Sequence, residues 1–74
     1  MKILITGAAG QIGSGLSKLL IENGHDLTLV DNLRNGYLEN LKDDANEVIA
    51  PFYEVDITSG EFFLKCGDQY DVII

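Results

Sequence analysis

Glycines at positions 7, 10 and 13, directly behind the apolar run Lys2-Ile3-Leu4-Ile5-Thr6, constrain this chain more than any other feature. The run is too short, apolar and β-branched for a surface helix and reads as a buried parallel strand. A turn leaving such a strand for a helix uses Gly7 for its tight bend. Gly10 then permits close backbone approach to a phosphate, and Gly13 permits close packing of helix on sheet. The first N–H groups of the helix have no partners within it and stand at the positive end of its dipole. The stretch therefore forms a cradle for a pyrophosphate and needs no lysine. Three glycines at this spacing also occur in plain strand-to-helix turns, so the motif takes its meaning from the residues downstream. A triphosphate-binding loop from Gly10 is excluded, because it requires lysine after Gly15 and Leu16 stands there.

A chain of 74 residues allows at most one small domain, of marginal stability. Its hydrophobic fraction of 46% excludes a disordered tail, and no apolar run approaches the roughly 20 residues that cross a bilayer. The apolar start is too short for a secretory signal, which gives a cytoplasmic expectation. Cys66 is the only cysteine, so no internal disulfide forms, no metal cluster of the CxxC type exists, and an inert thiol is expected. A net charge of −7 with five basic residues argues against nucleic acid and against anionic membrane. A dinucleotide stays compatible with that charge, because backbone amides would hold it.

Ile12, Leu16, Leu19, Leu20 and Asn23 recur at spacings of three and four, predicting one amphipathic helix over 12–23, closed by a left-handed Gly24. His25 reads as a surface turn residue. A second strand over Asp26 to Asp31 ends in an acid 18 positions after Gly13. In a βαβ unit that carboxylate lies where it can accept hydrogen bonds from both adenosine ribose hydroxyls, and its charge opposes a 2′-phosphate, favouring NAD over NADP. Arg34 would soften this preference; the plainer reading is an acid that merely ends a strand. Asn32 to Gly36 forms a turn-rich loop, and Tyr37 to Asp44 supports one or two helical turns. Ala50 to Val55, with Val48 an alternative start, gives a third strand with Pro51 near its beginning. Asp56 and Ile57 follow at its carboxyl end, in reach of an adenine. Thr58-Ser59-Gly60-Glu61 matches a capping box and opens a third helix through Phe62, Phe63, Leu64 and Cys66 to Gly67. Tyr70 to Ile74 then begins a fourth strand. This alternation predicts an incomplete α/β, doubly wound parallel sheet of about four strands in the order 3-2-1-4, with strand 4 as an apolar edge.

The segments TGAAGQIG, VDNLRNG and VDIT, in register across nearly the whole chain, resemble the extended short-chain dehydrogenase/reductase superfamily. The classical branch, with TGxxxGxG, would demand glycine where Gln11 stands. DNLRNG with ENL soon after is most similar to NAD-dependent epimerases and dehydratases of sugar nucleotides, of the UDP-glucose 4-epimerase type. The resemblance implies a Rossmann-type fold and NAD as cofactor. It places Gly7, Gly10, Gln11, Ile12 and Gly13 at the pyrophosphate and Asp31 and Asn32 at the adenosine ribose. Leu33, Arg34, Asn35 and Gly36 would stand at the adenosine end, and Asp56 and Ile57 at the adenine. Gln11 stands where the family commonly has an aromatic, and Gly15 where it often has histidine.

The family's acid/base tyrosine is followed four residues later by lysine. Here Leu41, Ile57 and Ile74 follow Tyr37, Tyr53 and Tyr70 at that spacing, so the pair is missing from these residues. The expectation is the N-terminal part, residues 1–74, of an NAD-binding Rossmann domain whose catalytic and substrate-binding parts lie beyond Ile74. For a complete parent the resemblance implies a nucleotide-sugar substrate and is compatible with a homodimer. Two alternatives stand beside it: a non-catalytic dinucleotide sensor of the atypical branch, and a truncated fragment that associates through its uncovered sheet.

Overall fold

The computed structural model describes residues 1–59, 62, 64, 67 and 69–74. Strand β1 (Lys2–Thr6) leads through the glycine turn into helix α1 (Gln11–Glu22), followed by β2 (Asp26–Asp31), a 3-10 turn over Leu38–Leu41, β3 (Phe52–Glu54) and β4 (Val72–Ile73). The sheet has the predicted order β3-β2-β1-β4, and all three pairings are parallel. The strand pleat sorts the apolar run of β1 onto both faces. Ile3 and Ile5 join Ala8, Ala9, Leu27, Leu29 and Leu41 in one core, while Leu4 joins Val30, Val55 and Phe62 in the other. Burial on both sides explains why β1 is continuously apolar where a half-exposed strand would alternate. Each of its large side chains contributes about 1.5–3 kcal/mol on burial.

Helix α1 departs from its predicted face. Ile12 is 88% exposed and Leu19 55% exposed, whereas Ser14 and Ser17 are buried. The seam toward the sheet is Gly13, Ser14 and Ser17, with Leu20 and Ile21 packed on the core beyond them. Size rather than hydropathy decides this. A Cβ on Gly13 would lie 2.3 Å from the Gly7 carbonyl oxygen and 2.9 Å from Ala8 Cα, so only small residues fit where the helix meets the turn. Ser17 satisfies its own hydroxyl by donating to the Gly13 carbonyl at 2.7 Å, which lets a polar side chain be buried there. The helix ends as expected at a left-handed Gly24 (φ +83°). Gly24 N donates to Ile21 O and His25 N to Leu20 O, the two bonds of a Schellman closure.

Later elements shift at their edges. The helix expected over 37–44 is a single 3-10 turn, because Asp43 Oδ1 accepts Ala45 N (2.9 Å) and Glu47 N (3.1 Å) and reverses the chain instead. An antiparallel bridge between Lys42 and Val48 completes the reversal, so Val48 does not extend β3. Strand β3 is shorter than 50–55, yet Pro51 O and Val55 N both continue its ladder with β2, at 2.8 and 3.1 Å. Asp71 N and Ile74 N likewise extend β4 along β1, donating to Lys2 O and Leu4 O. Thr58, expected to cap a third helix, directs its hydroxyl to Asp56. Its capping partner Glu61, and with it Phe63 and Cys66, lie outside the described residues.

Substituting Gly13→Ala should lower stability by about 1–3 kcal/mol through overpacking, although alanine is the better helix former by about 1 kcal/mol. Chemical denaturation measures this; an unchanged or raised midpoint would refute the close approach of α1 to the glycine turn.

Candidate functional site

The carboxyl ends of β1, β2 and β3 converge on one crevice, and the glycine turn forms its floor. Gly7 takes φ +63° immediately after β1, which turns the chain, and Ala8 N donates to Val30 O at 3.1 Å, tying the turn to β2. Gly10 caps α1 in an extended conformation (φ −76°, ψ 174°) without a side-chain cap. The next three N–H groups, of Gln11, Ile12 and Gly13, donate to no group among the described residues; the helical ladder opens with Ser14 N to Gly10 O at 2.9 Å. No acid stands in that first turn to compete for them. They face a cavity of about 620 Å³, bounded by the cradle residues Gly7, Gly10, Gln11, Ile12 and Gly13 on one side and by Asn35, Tyr37 and Asn40 on the other. At Gly10 a Cβ would meet only Gly7 O, at 3.5 Å, so this glycine leaves room on the cavity side.

A second cavity of about 270 Å³ adjoins the first at Gly7 and is lined by Thr6, Asp31, Asn32, Val55 and Ile57. Asp31 is buried at the end of β2, and both of its oxygens are engaged. Oδ2 accepts Ala9 N at 2.9 Å, and Oδ1 accepts Leu33 N at 2.8 Å. A carboxylate has about four acceptor positions, so two remain for further donors. The aspartate thus does more than end a strand: it ties the glycine turn to the 32–36 loop. That tie holds Leu33 in the left-handed region (φ 60°), unusual for a branched residue, while its side chain packs on the core.

The residues of the loop after β2 separate into distinct places. Asn32 lines the second cavity, and its Oδ1 accepts Arg34 N at 3.0 Å, leaving the Arg34 side chain exposed. Asn35 belongs to the first cavity. Gly36 is seated directly on Ala9: a Cβ there would lie 2.7 Å from the Ala9 carbonyl carbon and 3.0 Å from Asp31 Oδ2. Tyr37 N and Asn40 Nδ2 both donate to the Ala9 carbonyl, at 3.1 and 2.8 Å. Tyr37, Asn40 and Ala9 went unassigned in the sequence because nothing in local spacing links positions 31 apart.

Asp56 and Ile57 also separate. Ile57 is exposed along the second cavity, while Asp56 Oδ1 accepts both Thr58 Oγ1 (2.7 Å) and Thr58 N (2.9 Å). These two bonds hold the Asp56 carboxyl below the ordinary aspartate range, the hydroxyl contributing most and the Arg34 charge a little. Among the described residues no group of three or more His, Cys, Asp or Glu could hold a metal ion, and no helix is long and apolar enough to cross a membrane.

Residues 3–74 match the sequence profile of the NAD dependent epimerase/dehydratase family. The chain belongs to that family. UDP-glucose 4-epimerase of Corynebacterium glutamicum is 47% identical over 45 residues, covering 61% of this chain and 14% of the relative. The crystal structure of the Thermotoga maritima UDP-glucose 4-epimerase with UDP-glucose superimposes with a TM-score of 0.78 at 40% identity, over 100% of this chain and 24% of that one. The Thermus thermophilus UDP-glucose 4-epimerase in complex with NAD gives a TM-score of 0.75 at 33% identity, over 89% and 20%. This family member therefore spans about a quarter or less of the proteins it matches.

Replacing Thr58 by alanine should raise the Asp56 pKa toward the ordinary carboxylate value, as read by carboxyl NMR titration. Because the folded pKa is lowered, the ionised carboxylate stabilises the fold above the unfolded pKa, and this is lost as pH falls through the folded one. The variant should show a weaker acid dependence of stability; an unshifted Asp56 titration would remove the Thr58 hydroxyl as the main cause.

Proposed function

We propose that residues 1–74 form the NAD-binding part of an oxidoreductase of the epimerase/dehydratase type acting on nucleotide sugars. The observation that carries this reading is the joining, at Gly7, of a cavity facing free helix N–H groups with one holding a buried carboxylate at the end of β2. The first suits a pyrophosphate and the second an adenosine ribose. In this reading Gly7, Gly10, Gln11, Ile12 and Gly13 hold the pyrophosphate, with Asn35 beside it. Asp31 and Asn32 face the ribose, Leu33, Arg34 and Gly36 shape its loop, and Asp56 and Ile57 border the adenine. Bound NAD would supply a hydride acceptor that takes a hydride from a sugar hydroxyl carbon and returns it. The chain's own contribution is to bind and orient: N–H groups neutralise the phosphates, and the two remaining acceptor positions of Asp31 receive ribose hydroxyls.

The relatives support the substrate class, since those named above are UDP-glucose 4-epimerases and one is held with UDP-glucose. No tyrosine in this sequence is followed four residues later by lysine, so residues 1–74 receive no catalytic group. The hydride chemistry belongs to the rest of a longer protein in this reading. The same lack would suit a non-catalytic NAD sensor, distinguished by a YxxxK pair absent from the full-length protein.

Calorimetric titration of the protein should show NAD binding at least about tenfold tighter than NADP, because Asp31 opposes a 2′-phosphate. Asp31→Ala should cost about 1–3 kcal/mol of NAD binding and also lower stability, since Ala9 N and Leu33 N lose their acceptor. Equal affinities for the two dinucleotides, or an undiminished Asp31→Ala, would overturn the ribose assignment. Gly10→Val should fold, its backbone angles being open to a branched residue, yet lose NAD. A folded valine variant with normal binding would displace the pyrophosphate from the cradle.

A further inference from the structure

Asn40, in the ENL segment, lines the crevice without a role in the cofactor reading, and its environment is specific. Its Nδ2 donates at 2.8 Å to the carbonyl of Ala9, a residue fully buried between the cradle glycines. The Ala9 oxygen can only accept, so it is the NH₂ end of the Asn40 carboxamide that faces it. Tyr37 N donates to the same oxygen at 3.1 Å, filling its second lone pair, and Asp31 accepts from the N–H of Ala9 on the other side. Ala9 is thus held through both of its backbone polar groups by the loop that follows β2.

The peptide plane explains why this matters. The Ala9 oxygen and the Gly10 nitrogen belong to one trans amide, whose C=O and N–H point in opposite directions. Holding the oxygen toward Asn40 turns the Gly10 N–H toward Gly7 O, at 3.3 Å, and sets the direction in which the chain enters α1. The free N–H groups of Gln11, Ile12 and Gly13 take their aim from that direction. Asn40 borders the same cavity as Gly10 and Gly13, so the brace stands at the site and not behind it.

We propose that Asn40 is a positioning residue of the cradle, acting through the Ala9 carbonyl to keep the first-turn N–H groups of α1 aimed at a pyrophosphate. This rests on the reading of the cradle as an NAD site. Every bond of the brace lies within the protein, so the proposal requires the cradle to keep its shape without a ligand.

The test compares Asn40→Ala and Asn40→Leu with the parent residue in the full-length protein. Leucine keeps the branched shape of asparagine with neither donor nor charge, and serves where alanine does not fold. Affinities for NAD and adenosine are measured alongside backbone amide NMR signals of Gly10 to Gly13 in the ligand-free state. Both variants should bind NAD about tenfold more weakly, a difference of about 1.4 kcal/mol. Affinity for adenosine, which has no phosphate, should stay within about twofold, and the free-state amide signals should move. Folded variants with parental NAD affinity or unmoved amide signals would overturn the proposal, as would equal losses for NAD and adenosine, which mark general loosening. Failure of the parent protein to bind NAD would sink the cofactor reading instead, leaving the free-state amide signals to decide the brace.

Discussion

The contact between α1 and the Gly7 carbonyl is the constraint on which the other features depend. With no Cβ at position 13, the helix axis comes close enough to β1 for its first turn to sit directly over the end of the sheet. Move the helix outward by one methyl group and its first-turn N–H groups would stand farther from the end of the sheet. Two serines and two alanines are buried around the same approach. In the proposed reading packing and function are the same contact: the small residues that let the helix dock also aim its N–H groups.

Electrostatics is consistent with this economy. A chain of net charge −7 is a poor host for an anion through side chains, whereas the pyrophosphate site proposed above uses backbone dipoles, which the surface charge does not abolish. The buried Asp31 sits a cavity away from those dipoles, where its oxygens accept N–H groups from the turn and from the following loop. Acid and cradle are joined mechanically by Ala9, so the two ends of the crevice hold a fixed separation.

Most of the strand framework was legible in the sequence because buried parallel strands are written as short, continuous apolar runs, and β1 and β2 begin and end where those runs do. Gly7 and Gly13 were legible as well, since a left-handed turn and a close helix approach admit few residue types. The face of α1 was not. Hydropathy favoured Ile12 and Leu19, whereas the docking distance favoured glycine and serine, and distance is not written in a periodic pattern. The short helix after position 37 failed for a local reason, the Asp43 carboxylate capturing two backbone amides. Asn40 and Tyr37 stayed hidden because their partner is defined only once the chain has folded back on itself.

The strand order has a consequence in time. β1 is central, with β2 on one side and β4 on the other, and Lys2 and Asp71, bonded at 2.8 Å, are 69 positions apart. At roughly 5–20 residues per second, a ribosome takes several seconds to deliver the second flank after the first. For that interval the central strand of the sheet has an open edge, and an open edge recruits other strands. β1 is made before both of its neighbours and is enclosed only when β4 arrives, so the nascent chain's exposure to aggregation is set by the topology that builds the crevice.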